Sequence, residues 1–207
     1  MESLFIKQEH NRWFSDNGDK TKLLDYNLTN ESIVFDCGGY QGEWANNIFN
    51  LYGCKIHIFE PIKKHQENIK QRLGDNKNIT LHDYGVASED RKAMLCMQQD
   101  GSSEFLITNL QNSYNYEEVQ LKKISNLIDN HIDLIKINIE GAEYEVLTDL
   151  INSGKIKQIS NVLVQFHSED DGIENATEIR KNIHNSLSET HKLLWNYEFC
   201  WESWQII

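Results

Sequence analysis

Short apolar runs rich in β-branched residues alternate with segments of helical periodicity along most of this chain. Such runs are typical of strands buried on both faces, and strands that alternate with helices favour a parallel sheet covered on both sides. The pattern therefore predicts an α/β fold with a doubly wound, mostly parallel sheet. The predicted strands are Ile33–Phe35, Lys55–Glu60, Ile79–His82, Ile132–Ile139 and Asn161–His167.

The two ends of the chain differ from this central pattern. The tail, Lys192–Ile207, is rich in aromatic residues and predicts an antiparallel pair of strands, which brings the sheet to seven strands. Residues 1–31 are polar, and we expect a partly helical lead-in that covers one edge of the sheet. No internal repeat or domain boundary is visible. Residues 1–207 are therefore expected to form a single domain of ordinary size.

Residues 93–118 interrupt the alternation of strands and helices. Ala93–Gln98 and Glu104–Thr108 flank Gln99-Asp100-Gly101, which is the signal of a β-hairpin. The tract Leu110–Glu118 is polar and irregular, so it is interpreted as a surface loop. We expect residues 99–118 to act as a lid or as a loop that contacts the acceptor, because long loops in compact domains commonly carry function.

The charge of the chain limits its partners. The formal net charge is −12 and no basic run is present, which argues against general nucleic-acid binding. Met1–His10 contains charged residues and no apolar region of a secretory signal, and no apolar stretch approaches the length of a membrane span. The scattered cysteines are typical of a reducing compartment. We therefore expect a cytoplasmic protein.

A glycine-rich segment follows the first predicted strand and is the first candidate site. In Phe35–Gly42, the three glycines allow a close approach to a ligand, and the helix that follows directs free N–H groups toward it. A tight turn without a ligand is the alternative. Cys37 stands where a dinucleotide-binding motif would have its first glycine. The acid at Asp36 suits a cationic ligand, such as the amino group of a methionine moiety.

Other polar residues also collect at the predicted strand ends. Glu60 follows the glycine segment at about the distance at which an acid grips ribose hydroxyls, although a solvent-exposed acid is the alternative. Ligands of such sheets bind outside the carboxyl ends of the strands, so these residues are expected to converge on one site. The strand-end residues are Asp36, Glu60, His82, Asp83, Asn138, Glu140 and His167.

The segment Lys136–Glu143 (KINIEGAE) is the third landmark. Glu143 falls in the first turn of a predicted helix, where the helix dipole favours a carboxylate, so a capping role is an equal alternative to a role in the site. Glu140 directly precedes a glycine and is expected to face the cleft.

Taken together, VFDCGGYQGEW, IHIFEP and DLIKINIEGAEYEVL resemble the FkbM-type methyltransferases, a class I S-adenosylmethionine-dependent family. The resemblance covers roughly residues 12–167, and Asn138 stands where the family signature LKIDVEGAE has Asp. It implies that Asp36, Gly38 and Gly42 surround the methionine half of the cofactor, Glu60 its ribose and Asp83 its adenine. A plain surface turn is the alternative for Asp83. The expected cofactor-binding set is Asp36, Gly38, Gly39, Tyr40, Gly42, Glu60, Asp83 and Asn138.

Methyl transfer to an alcohol requires alignment of the reactants and a base that removes the hydroxyl proton, while the cofactor supplies the electrophile. His167 is the first candidate for this base, because it closes a strand that faces the cofactor, and Glu140 is the second. A satisfied core or surface histidine is the alternative for His167. These residues and Asn138 could instead hold a divalent cation, which is not favoured because no tight ligand spacing exists.

By resemblance, the acceptor is expected to be a small hydroxylated molecule, either a sugar or a sugar nucleotide for surface polysaccharide. Candidate aromatic contacts are Tyr114, Tyr116, Trp201 and Trp204. An NAD-dependent oxidoreductase and a non-catalytic cofactor-binding module remain alternatives, and Asn138 keeps the second one open. A protein or nucleic-acid methyltransferase is a weaker alternative because the chain is acidic. The oligomeric state is left open.

Overall fold

The computed structural model describes residues 4–97, 102–103 and 116–207. Its strands are β1 (Ile33–Cys37), β2 (Lys55–Phe59), β3 (Ile79–His82), β4 (Gly85–Ala87), β5 (Arg91–Met97), β6 (Ser102–Ser103), β7 (Tyr116–Lys123), β8 (Leu134–Ile137), β9 (Asn161–Val164), β10 (His191–Tyr197) and β11 (Trp201–Ile206). Its α-helices are α1 (Leu4–Ser15), α2 (Gly18–Thr21), α3 (Glu43–Tyr52), α4 (Lys63–Leu73), α5 (Glu143–Asn152) and α6 (Ala176–Leu187). Short 3₁₀ helices lie at Ile124–Leu127, Lys155–Gln158 and Glu169–Asp171.

The main sheet has seven strands in the order β10-β11-β9-β8-β1-β2-β3. β1 pairs in parallel with β2 and β8, whereas β11 runs antiparallel to β9 and β10. The predicted fold class, a doubly wound and mostly parallel seven-stranded sheet with an antiparallel C-terminal hairpin, is confirmed. The strand order reverses between β1 and β8. This reversal is the point at which sheets of this kind open a ligand-binding crevice.

The faces of the sheet carry separate apolar cores. Val34 packs with Ala45 and Ile48 of α3 on one face, while Phe35 packs with Val146 of α5 on the other. Successive side chains of a strand point to opposite faces, so an uninterrupted apolar run such as β1 supplies both cores. The apolar positions of α3 recur at helical spacing, and this helix ends at Gly53, whose φ of 66° terminates it in the left-handed region.

The ends of several elements differ from the predicted ones. β8 covers only Leu134–Ile137, and β9 ends at Val164, so that Asn138 and His167 lie in the loops that follow these strands. The helix predicted from Gly141 begins at Glu143 instead. The φ angles of Glu140 and Gly141, 56° and 107°, are incompatible with a right-handed helix at these residues.

The insert contributes to a second sheet, in the order β4-β7-β5-β6. Residues 116–118 were predicted to lie in a loop, but they begin β7 and pair with β5. Along β7, buried and more exposed side chains alternate, and the side chains of Val119 and Leu121 are buried in the core of this small sheet. These two residues continue the pairing of β7 with β5. β5 pairs antiparallel with β6. The structure does not describe residues 98–101 and 104–115. The predicted hairpin arm Glu104–Thr108 and Tyr114 therefore lie outside the described residues.

The lead-in packs against the edge strand β10. The ring of Trp13 contacts those of Trp195 and Tyr197, with centroids 5.9 and 5.1 Å apart. The side chain of Asp16 accepts a hydrogen bond from the Tyr197 hydroxyl at 2.5 Å. In the part of the chain that the structure describes, no helix combines the length and the apolar character needed to cross a bilayer.

Candidate active site

A cavity of about 520 Å³ opens at the carboxyl ends of β1, β2 and β8, and we refer to it as the strand-end cavity. Its volume is in the range of pockets that bind small molecules. The predicted site residues that line it are Gly38, Gly39, Tyr40, Glu60, Asn138 and Glu140. The predicted site residues that lie outside its lining are Asp36, Gly42, Asp83 and His167.

The glycine segment forms the wall between β1 and β8. At Gly38, φ is 85° and an added Cβ would lie 1.9 Å from the carbonyl oxygen of Asn138, so a side chain is excluded. The loops after β1 and β8 therefore touch through backbone atoms. Gly42 has a φ of 72° and donates its N–H to the carbonyl of Gly39 at 2.7 Å. Gly42 closes the turn into α3 and does not contact the cavity.

Glu60 is held at the cavity by backbone donors. Its Oε2 accepts the N–H of Tyr40 at 2.8 Å, and its Oε1 accepts the N–H of Ile62 at 2.9 Å. Oε1 also lies 3.4 Å from Nδ1 of His65. Tyr40 has a φ of 48°, so this bond helps to hold a backbone conformation that is unfavourable for a residue with a side chain. Each carboxylate oxygen has a second lone pair, so the acid can still accept ligand hydroxyls.

Asp36 is not available to a ligand in the way that the sequence predicted. Its side chain is fully buried, and Oδ1 accepts a hydrogen bond from Nζ of Lys136 at 2.9 Å. Burial raises the pKa of Asp36, and the Lys136 ammonium opposes that shift. Lys136 also donates to the carbonyl of Gly38 at 2.7 Å. We therefore replace the predicted contact between Asp36 and a ligand by an indirect role, in which Asp36 holds the lysine that fixes the glycine loop.

Asn138, a residue of the cavity wall, has an unsatisfied polar atom. Its Oδ1 is buried and has no hydrogen-bond partner among the described residues, while its backbone N–H donates to the carbonyl of Cys37 at 3.1 Å. A buried amide oxygen without a donor costs about 1–3 kcal/mol. A ligand that brings an N–H or O–H group to this position would remove that cost.

Three charged side chains connect the loops after β8 and β9. Glu143 is fully buried, and its carboxylate accepts the N–H groups of Ile139 at 2.7 Å and Gly141 at 2.9 Å. His167 lies between two acids, with Nδ1 3.2 Å from Glu143 and Nε2 3.5 Å from Glu140. Glu143 thus shapes the loop that carries Glu140, and His167 ties Glu140 to it.

This arrangement gives His167 a proton at neutral pH. Burial lowers its pKa, but the carboxylates of Glu143 and Glu140 outweigh burial and raise the pKa of His167 to about 11. A protonated imidazole has no lone pair with which to accept a proton or to bind a metal ion. A cationic His167 does not fit the predicted role of a base, and the residue lies outside the cavity lining, whereas Glu140 lines the cavity.

The end of the cavity near β3 is apolar. Val86, Ile62 and Leu121 line it, whereas Asp83 is exposed and is not part of the lining. Asp83 is absent from the wall because the link between β3 and β4 is short and brings Gly85 and Val86 there instead. No adenine contact by Asp83 is therefore supported.

The opposite end of the cavity is formed partly by the two ends of the chain. Asp19, Leu23 and Leu24 of the lead-in line it together with Trp44 of α3 and Trp201 of β11. Trp201 is thus one of the predicted aromatic residues that reaches the cavity.

The other predicted aromatic residues do not reach it. Trp204 is 2% exposed and packs in the core, where its indole N–H donates to Glu202. Tyr116 is exposed on β7 and does not line the cavity, and Tyr114 lies outside the described residues.

Sequence reasoning missed Lys136 and the lead-in residues Asp19, Leu23 and Leu24. Lys136 had a readable signal, because a lysine within an apolar central strand requires a buried anionic partner. Its partner Asp36 lies directly beside it in the register of β1 and β8. The lead-in residues had no such signal, since only the packing of α1 and α2 brings them to the cavity.

Among the residues that the structure describes, no group of three or more His, Cys, Asp or Glu side chains is placed to hold a metal ion. The predicted alternative was a divalent cation held by Asn138, Glu140 and His167. In the structure, the His167 ring nitrogens face two carboxylates at ion-pair distances. These nitrogens act there as donors, which is incompatible with metal ligation.

Residues 36–197 match the Methyltransferase FkbM domain family. No curated protein matches the chain.

Several solved structures share its fold. The methyltransferase FkbM of Methylobacillus flagellatus is 14% identical, with a TM-score of 0.58, over 91% of this chain and 46% of that one. This chain therefore spans less than half of the Methylobacillus protein. SMU.1697c of Streptococcus mutans, solved in complex with SAH (S-adenosylhomocysteine), is 11% identical with a TM-score of 0.54, over 100% of both chains. An rRNA methylase of Streptococcus thermophilus is 13% identical with a TM-score of 0.51, over 100% of this chain and 99% of that one.

Proposed function

This chain belongs to the FkbM methyltransferase domain family, and we propose that it transfers a methyl group from S-adenosylmethionine to a hydroxyl group of a small acceptor, a sugar or a sugar nucleotide used in surface polysaccharide. The observation that carries the proposal is the strand-end cavity. The glycine segment, Glu60 and the loop of Asn138 and Glu140 meet around it where the strand order reverses.

The residues that line this cavity fit the cofactor. Glu60 has lone pairs for ribose hydroxyls, and the unsatisfied Oδ1 of Asn138 accepts a bond from an amino group. The apolar end at Ile62 and Val86 suits a heterocyclic base. When bound, S-adenosylmethionine supplies an electrophilic methyl group on a positively charged sulfur. The acidic side chains of the lining favour such a cation.

In this proposal, Glu140 is the general base and His167 positions it. The carboxylate of Glu140 accepts the proton of the acceptor hydroxyl as the oxygen attacks the methyl carbon. The His167 cation, 3.5 Å away, holds Glu140 in one orientation. Glu143 fixes the loop that carries Glu140 by accepting the N–H groups of Ile139 and Gly141. After transfer, the protonated Glu140 returns its proton to solvent.

Calorimetry and labelled methyl transfer test the proposal. The full chain is expected to bind SAH and not NADH, which distinguishes methyl transfer from the oxidoreductase alternative. With methyl-labelled donor and a panel of sugars and sugar nucleotides, we expect transfer that persists in a chelator. Binding of SAH without transfer to any hydroxylated acceptor would instead favour the non-catalytic module.

A substitution at Glu140 separates catalysis from cofactor binding. Glu140→Gln is expected to lower turnover by about 10²-fold or more, the contribution of a general base, with SAH affinity changed by less than about threefold. Unchanged turnover would refute the role of Glu140, and absence of heat with SAH would refute the proposed function.

A further inference from the structure

We propose that the acceptor of this site carries no phosphate group, so that the chain methylates a free or glycan-bound sugar and not a sugar nucleotide. This inference rests on the proposed function and narrows its substrate class. It follows from the charges that line the strand-end cavity and from the composition of the segment that follows β5.

Carboxylates dominate the charged lining of the cavity, which contains Asp19, Glu43, Glu60 and Glu140. The lysine in the same wall, Lys136, already donates to Asp36 and to the carbonyl of Gly38. The histidine in the wall, His65, lies 3.4 Å from a carboxylate oxygen of Glu60. Each of these basic side chains therefore has an acceptor within the protein, and the charge left to face a ligand is negative.

The start of α3 also opposes an anion. The first turn of a helix normally attracts phosphate, because its free N–H groups and its dipole are positive. Here the first helical residue is Glu43, which is exposed and lines the cavity. Its carboxylate occupies the favourable end of the helix dipole. A pyrophosphate placed there would meet a like charge.

The insert cannot reverse this balance, whatever its placement. Residues 98–115 contain Asp100 and Glu104 but no Lys, Arg or His. Residues 1–3 likewise contain an acid and no basic side chain. The net charge of −12 adds a long-range field of the same sign. Proteins that bind phosphates commonly use Arg, Lys or helix N-termini. In the described wall, Lys136 is already paired and the start of α3 carries Glu43. α4 also begins at this wall, but the N–H groups of Ile62 and Lys63 there already donate to the carboxylates of Glu60 and Glu117.

The far end of the cavity has the features that an uncharged ring requires. Trp44 and Trp201 supply indole surface, and Asn47 supplies an amide. The indole N–H of Trp44 donates to the carbonyl of Leu23 at 3.0 Å, which fixes its ring against the lead-in. Carboxylates and amides bind vicinal hydroxyl groups, and aromatic faces cover the apolar faces of sugar rings.

A matched panel of acceptors tests the inference. Each of several common hexoses and N-acetylhexosamines is supplied as its methyl glycoside, its 1-phosphate and its UDP-linked form, with methyl-labelled S-adenosylmethionine and the full chain. For the sugar that reacts, we expect kcat/KM to be at least tenfold higher for the methyl glycoside than for the two phosphorylated forms. Added salt should reduce this difference, because it screens the repulsion.

Two variants with equal charge changes identify the origin of the selectivity. Glu43→Lys is expected to reduce the discrimination against the phosphorylated forms at least fivefold. Glu178→Lys, in the first turn of α6, also replaces an exposed acid at a helix N-terminus but lies away from the cavity. It should leave the discrimination unchanged. Equal effects of the two variants would overturn the inference, because net charge and not the cavity lining would then set the selectivity.

The remaining outcomes separate this inference from the function on which it rests. A preference for the 1-phosphate or the UDP-linked form overturns the inference and leaves the methyltransferase proposal intact. The same holds if the chain binds SAH but transfers a methyl group to no member of the panel, because a phosphate-free sugar is then not its acceptor. A chain that binds no SAH overturns the proposed function itself.

Discussion

Asp36 and Glu60 look alike in the sequence and differ in the structure. Each is an acid at the end of an apolar strand run, next to a turn. Asp36 is fully buried and paired with the Lys136 ammonium, 2.9 Å away. Glu60 is 4% exposed, lines the cavity and is held by two backbone N–H groups. In this chain, the strand-end acid that backbone donors hold lines the cavity, whereas the strand-end acid that pairs with a buried cation supports the scaffold.

The largest effect in this comparison is expected at Lys136. Lys136→Met leaves the Asp36 carboxyl buried without its partner, and the loss of one member of a buried ion pair costs about 3–5 kcal/mol. Urea unfolding measures the loss. The double variant Asp36→Asn with Lys136→Met should recover most of it, because a neutral pair needs no charge compensation. A loss below about 1 kcal/mol for Lys136→Met would show that the pair does not support the scaffold.

A smaller effect is expected at Glu60, and it concerns binding instead of stability. Glu60→Ala removes hydrogen bonds between a charged acceptor and ligand hydroxyls, so SAH affinity should fall about 10- to 100-fold, or roughly 1.5–3 kcal/mol. Calorimetry with SAH measures the change. Glu67→Ala, at an exposed position of α4 outside the cavity, is the control and should bind like the parent. Equal affinities of the parent and Glu60→Ala would remove Glu60 from the site.

The pH dependence of stability probes the third acid–base cluster, at His167. Its pKa is about 11 in the folded chain and about 6.5 when unfolded. A raised folded-state pKa means that the stabilisation is fully present below about pH 6.5 and is lost as the pH rises through about 11. Between these values, the parent should lose at most about 1.4 kcal/mol per pH unit more than His167→Gln.

Urea unfolding at several pH values between 6 and 9 tests this expectation. His131→Gln, at an exposed histidine, is the control and should follow the parent. Parallel stability curves for the parent and His167→Gln would show that His167 is not held as a cation, and would reopen its role as a base.

The family match and the fold agree with the sequence-based expectations because both depend on local patterns. Strands β1, β2, β3, β8 and β9 follow from apolar runs, and α3 from helical spacing closed by Gly53. The second sheet was expected only as a hairpin, since long-range pairs such as that between β4 and β7 leave no local signal. The phosphate-free acceptor and the roles of the site residues remain proposals.

The sequence alone determined the order of strands and helices and the collection of polar residues at one edge of the sheet, because strand and helix periodicities are local and parallel strands end on the same side. Only the tertiary structure decided which acids face the cavity. Register placed Lys136 beside Asp36, and loop geometry placed His167 between Glu140 and Glu143. Burial and the sign of the nearest charge set the protonation and availability of a side chain, and both come from residues distant in the chain.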